Sequence, residues 1–157
     1  MPILLASVIV PASAQNPPPT CPAPSHTQVF HSLQDLSYDV RSALLAKTPD
    51  IVDSNQPFDP TDVVMHGAHF NRFAFAWQAN GRWIIATEHG GIAYYNPIYT
   101  VVSPPSPAST GPFITYAARI LKTTMSRPTA LCPDARHALD EKLPPVPPAK
   151  PKYVTHG

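Results

Sequence analysis

The sequence predicts an α+β domain, and three observations carry that prediction. Apolar residues recur at three- and four-residue intervals from Val29 to Leu44, the spacing of one helix face. Between Phe70 and Val102 the period becomes two, punctuated by Asn80-Gly81 and Gly90-Gly91, as expected of antiparallel hairpins. Proline supplies 22 of 157 residues, against an ordinary share of about 5%. Proline breaks helix interiors, which argues against a long coiled coil and an all-helical bundle.

Taken in order, the chain opens with the apolar run Ile3 to Val10, followed by Ala12-Ser13-Ala14. This is the small-x-small pattern of a signal-peptide cleavage site, although no Lys or Arg precedes the run. Residues 1–14 are read as a signal peptide and the mature protein as periplasmic. The run is well short of the roughly 20 apolar residues that cross a bilayer, so no direct membrane span is expected. Residues 15–24, with Pro17, Pro18, Pro19, Pro22 and Pro24, form a proline-rich N-terminal arm that favours extended polyproline II.

The folded domain is expected over residues 25–143. Ser25 and Gln28 have capping-box spacing, and Val29, Phe30, Leu33, Leu36, Val40 and Leu44 continue as an N-terminal amphipathic helix ending before Pro49. Asp50, Asp53, Asp59 and Asp62 lie in a stretch broken by Pro57 and Pro60 that reads as a solvated acidic loop. Phe73, Phe75 and Trp77 then alternate with Ala74 and Ala76 in a first strand, and Asn80-Gly81 turns the chain into Trp83, Ile84 and Ile85. Gly90-Gly91 leads into Ile92 to Tyr95 and, past Pro97, Ile98 to Val102, completing a three-stranded meander. Pro104, Pro105 and Pro107 mark a loop. Phe113 to Leu121 fits a strand or a helix, and the alternation of Ile114, Tyr116, Ala118 and Ile120 favours a fourth strand. A short C-terminal helix runs from Pro133 to Leu143, with proline and aspartate in its first turn, and residues 144–157 form a proline-rich tail.

Charge and motif content narrow the function. Eleven basic and ten acidic residues give a net charge of +1, which offers no steering towards nucleic acid or an anionic membrane. No Cys-x-x-Cys-His, Walker A, G-x-G-x-x-G, G-x-S-x-G or H-E-x-x-H motif occurs, so no cofactor is expected on this chain. Ser103 and Ser106 lie in proline-rich surroundings without a triad order, and the chain by itself is read as no enzyme. His66, His69 and His89, with Glu88, are the imaginable metal ligands, but their spacing is not diagnostic of zinc. His66 and His69 would face opposite ways in an extended segment unless Gly67 turns the chain. Cys21 and Cys132 are the only cysteines, and in an exported chain they are expected to pair. Trp77, Trp83, Tyr94, Tyr95 and Tyr99 exceed what one sheet face buries, and adjacent Tyr94 and Tyr95 point to opposite sides. Either both faces are covered by the chain's own helices and loops, or one is a partner interface.

In its export signal, its size, its disulfide-capable Cys21 and Cys132 and its proline-rich ends, the chain resembles the small cofactor-free subunit of the membrane-bound quinoprotein alcohol dehydrogenases of acetic acid bacteria. The resemblance implies a non-catalytic accessory subunit that assists assembly or stability. Pyrroloquinoline quinone and haem c would then be carried by larger partner subunits. The competing class is a free-standing periplasmic domain that binds a small ligand on Trp77, Trp83, Tyr94 and Tyr95, or inhibits a target enzyme.

Overall fold

Antiparallel pairing around Asn80-Gly81 organises the computed structural model, which describes residues 16–61, 69–103 and 117–142. Both turn residues take positive φ, 52° at Asn80 and 73° at Gly81. A type I′ hairpin turn requires this and asparagine followed by glycine tolerates it. The turn joins β3 (Asn71–Ala79) to β4 (Arg82–His89), and β5 (Asn96–Val102) and β6 (Arg119–Ser126) extend the meander to four strands. The fourth strand therefore exists, but it begins near the end of the 113–121 segment and runs on to Ser126. Ile92 to Tyr95 stay outside β5.

The other edge of β3 is filled by two short strands. β1 (Gln28–Phe30) pairs antiparallel with Ala76 to Gln78, and β2 (Ile51–Val52) pairs parallel with Asn71 and Arg72. This divides the expected N-terminal helix. Only α1 (Tyr38–Lys47) is helical, burying Val40 and Leu44. A 3-10 turn at Leu33–Asp35 supplies Leu33, and Leu36 follows it into the core. Helical spacing was present from Val29 onward, but His26 adopts a φ of 64° and the open backbone groups of β3 take up Val29 and Phe30 as a strand. Buried ladder groups need partners, and that demand outweighs helix periodicity. The acidic loop is likewise less solvated than expected. Asp53 accepts from the Ser32 hydroxyl at 2.6 Å and the Leu33 amide at 3.1 Å, while Phe58 and Asp59 are buried.

Each sheet face carries its own core. Leu33, Leu36, Val40 and Leu44 cover Phe73, Trp83, Ile85, Tyr99 and Val101 on one side. On the other, α2 (Leu131–Asp140) lays Leu131, Ala135 and Ala138 over Phe75, Trp77, Ile84 and Ile98. That helix starts two residues before Pro133, from a 3-10 turn at Pro128–Ala130. The N-terminal arm joins this second core, with Cys21 and Ala23 packed against it. A β-bulge explains how β3 serves both sides. Phe73 pairs with Thr87 and Phe75 with Ala86, so Ala74 is an extra residue that sends Phe73 to the α1 side and leaves Phe75 and Trp77 towards α2.

Cys21 in the arm and Cys132 in the first turn of α2 form the disulfide expected of them. Arg136 adds a hydrogen bond to the Pro22 carbonyl at 3.2 Å. Among the described residues no helix is long and apolar enough to cross a membrane. The expected signal peptide (residues 1–14), the loop holding Pro104 to Pro107 and the expected proline-rich tail lie outside the described residues.

Candidate functional site

Among the described residues, a dense polar arrangement lies at the end of the sheet opposite the Asn80-Gly81 turn, where β3 begins and β4 ends. Arg72 and Glu88 are directly paired across these strands. Their side chains are each only 3% exposed, and Arg72 Nε donates to Glu88 Oε2 at 2.6 Å. The Tyr94 hydroxyl donates to the other carboxylate oxygen, Oε1, at 2.6 Å, so both acceptors of Glu88 are engaged. The Arg72 guanidinium also stands 4.6 Å from the centroid of the Phe58 ring, a cation-π contact in a desolvated position. Phe58 in turn meets the Tyr94 ring at 6.4 Å.

One residue further along each strand, a second chain of contacts forms. Asn71 Nδ2 donates to both oxygens of Asp50, at 2.8 and 2.7 Å, which commits its amide nitrogen and turns Oδ1 towards His89. His89 Nδ1 lies 2.7 Å from that oxygen. An oxygen can only accept, so Nδ1 carries the hydrogen. The His89 ring rests against Tyr95 with centroids 4.7 Å apart. Backbone bonds in both directions between His89 and Tyr95, at 2.9 and 3.2 Å, close the intervening loop at its base. Gly90 has a physical reason to be glycine. A Cβ there would fall 1.8 Å from the Asp59 carbonyl oxygen, so the loop base and the Phe58–Pro60 segment meet backbone to backbone.

Tyr94 titrates abnormally in this setting. Burial, and next the hydrogen bond to the Glu88 carboxylate, push its phenol well above the usual range. The folded protein holds this proton more tightly than the unfolded chain does. The resulting stability is complete below about pH 10, the unfolded phenol value, and is lost as pH rises beyond it. In an alkaline absorbance titration, Tyr94 is expected to ionise late, well above an ordinary phenol. Tyr94→Phe should remove that late step, and a variant titrating like the wild type would contradict the assignment.

The residues singled out from sequence are only partly brought together. His89 is held by Asn71, His69 is exposed two residues before Asn71, and His66 lies outside the described residues. Among the described residues, no group of three or more His, Cys, Asp or Glu is placed to hold a metal ion. The aromatic set expected at a partner interface is divided. Trp77, Trp83 and Tyr99 are buried in the two cores, where the chain's own helices cover them. Trp83 meets Phe30 with ring centroids 4.8 Å apart in a tilted contact, and the Tyr99 hydroxyl bonds Thr48. Only Tyr94 and Tyr95 reach the surface, at the sheet end.

Sequence reasoning passed over Arg72, Asn71 and Ile92. Ile92 is 93% exposed at the tip of the loop, and Met125, opposite Pro97 at the same end of the sheet, is 63% exposed. An apolar residue in an uncharged Gly-Gly-Ile-Ala-Tyr-Tyr stretch was the available signal, but it fits a buried strand equally well. No protein-family model, curated protein or solved structure matches this chain.

Proposed function

We propose that this protein is a non-catalytic accessory subunit of a larger exported assembly, contributing a rigid binding surface rather than chemistry. One observation carries the reading. Both sheet faces are already occupied by the chain's own helices and arm, while Ile92 in the loop after β4 and Met125 on β6 are left exposed. Exposed apolar groups set beside a stiffened polar framework suit a partner surface. The Cys21–Cys132 disulfide favours an oxidising compartment, the periplasm if residues 1–14 act as a signal. A charged content of 13%, about half the ordinary share, suits a chain that is partly covered by a neighbour.

The finer proposal follows the sequence resemblance: a membrane-associated quinoprotein alcohol dehydrogenase whose larger subunits carry pyrroloquinoline quinone and haem c. The rival, a small-ligand binder using Trp77 and Trp83, would need those buried rings to be exposed. Mild-detergent extraction of native membranes followed by identification of co-eluting proteins tests the proposal. A dehydrogenase and a cytochrome are the expected companions. Elution as a lone monomer would defeat the subunit reading.

A further inference from the structure

We infer that the N-terminal arm is a redox-latched lid over the Phe75–Trp77 stretch of β3, held shut by the Cys21–Cys132 bridge and opened by a dithiol reductant. The inference needs no partner subunit and stands apart from the accessory-subunit reading. α2 packs over β4 and β5, yet the core on its side of the sheet also includes Phe75 and Trp77 of β3, 1% and 0% exposed. The arm supplies cover there. It leads through Ser25–Thr27 into β1, the neighbour of β3, and its Cys21 and Ala23 pack against the same core. Its course beside α2 is set at two points: the Pro22 carbonyl accepts from Arg136 in the second turn, and Cys21 is bonded to Cys132 in the first.

Apart from the bridge, little holds the lid. Pro17, Pro18, Pro19, Pro22 and Pro24 have no N–H to donate, and among the described residues no backbone hydrogen bond ties 16–24 to the sheet. Both half-cystines are only partly buried, and the contact of Cys132 Sγ with the Thr20 carbonyl is exposed, so the bridge is open to a reagent. The closed state also carries a defect, because Trp77 Nε1 is buried without an acceptor. Opening the arm lets water bond that N–H, which offsets part of the cost of uncovering the rings. The exchange has a defined direction. A thiolate of the dithiol attacks Cys21 Sγ, the disulfide bond breaks, and Cys132 leaves as a thiolate in the first turn of α2, one turn before Arg136 on the same helix face. Residues 16–24 carry no charge, and the Asp134 carboxylate of that turn accepts from the Ser126 hydroxyl. The second thiol of the reductant then displaces Cys21. The dithiol ends as a disulfide, and the protein gains two electrons and two protons as two thiols.

The test is hydroxyl-radical footprinting of the whole protein, read by mass spectrometry, before and after reduction with dithiothreitol and capping of the thiols, well below the melting temperature. Trp83 serves as the internal control, since it lies in the core on the opposite face, under α1. Labelling of Trp77 is expected to rise about tenfold on reduction, as local opening of one element produces, with Trp83 unchanged. The Cys21→Ser/Cys132→Ser variant should show the same pattern without reductant. With glutathione in place of dithiothreitol, the mixed disulfide should form on Cys21. Protection of Trp77 after reduction would show that the arm stays docked without its bridge, and an equal rise at both tryptophans would show that the whole domain opens; either result overturns the latch. A mixed disulfide on Cys132 would overturn the assigned direction of exchange.

Discussion

Replacing Arg72 with Met is expected to destabilise the protein by about 3–5 kcal/mol, the usual cost of leaving one partner of a buried ion pair uncompensated. Glu88 is only 3% exposed, and its Oε2 would lose the guanidinium while Tyr94 continued to bond Oε1. The Phe58 ring would lose the guanidinium it faces at 4.6 Å. The double variant Arg72→Met/Glu88→Leu should recover most of that loss, since paired charges exchanged for apolar groups of similar volume are often neutral. A residual cost of about 1 kcal/mol is expected from the Tyr94 hydroxyl, which would lose its acceptor, and adding Tyr94→Phe should remove it. Urea unfolding of the wild type and these three variants forms the test. A single variant within 1 kcal/mol of wild type, or a double variant no better than Arg72→Met, would show that the pair is not a coupled unit.

That ion pair also shows where sequence reading stops. The Asn80-Gly81 turn was plain in the sequence, and counting outward from it sets Ala79 against Arg82 as observed. Continued without interruption, the same count places Arg72 opposite His89 and Phe73 opposite Glu88. The extra residue Ala74 shifts the register by one, bringing Arg72 to Glu88 and Asn71 to His89. A bulge is a two-against-one mismatch that costs little in a pattern of small residues such as Ala74 and Ala76, so alternation alone does not reveal it. It creates the polar site and assigns the aromatic residues to different faces.

The helix boundaries illustrate a second limit. Val40 and Leu44 fall on the buried face of α1 as their spacing implied, while Val29 and Phe30 obey the same spacing and form a strand. Local periodicity was satisfied by both, and the choice was made by the unpaired edge of β3, a long-range demand. The interface expectation for Trp77, Trp83 and Tyr99 turned on the same kind of information. The arm and α2, far apart in sequence, come together over the face holding Trp77, while Leu33, Leu36 and α1 cover Trp83 and Tyr99 on the other.

Removal of that disulfide is the second large effect. Cys21 and Cys132 lie 111 residues apart, and closing a loop of this length restricts the unfolded chain by roughly 4–5 kcal/mol in the chain-entropy account. The native contacts it secures are sparse by comparison: Cys21 and Ala23 at the margin of the second core, and one exposed hydrogen bond from Arg136 to Pro22. The Cys21→Ser/Cys132→Ser variant should therefore lose more than about 10 °C in melting temperature while its sheet and helices keep their native circular dichroism. Two origins of the loss can be separated. If the staple acts through the unfolded state, the reduced variant unfolds to a more expanded chain and its denaturant slope rises. Shortening the arm to begin at Ser25 in that variant should then add little. If packing of the arm dominates, the slope stays constant and the same truncation costs a further 1–2 kcal/mol, roughly the transfer value of the small apolar surface uncovered. The length of the closed loop against so few arm contacts favours the first outcome, and a loss below about 3 °C would refute the stapling account altogether.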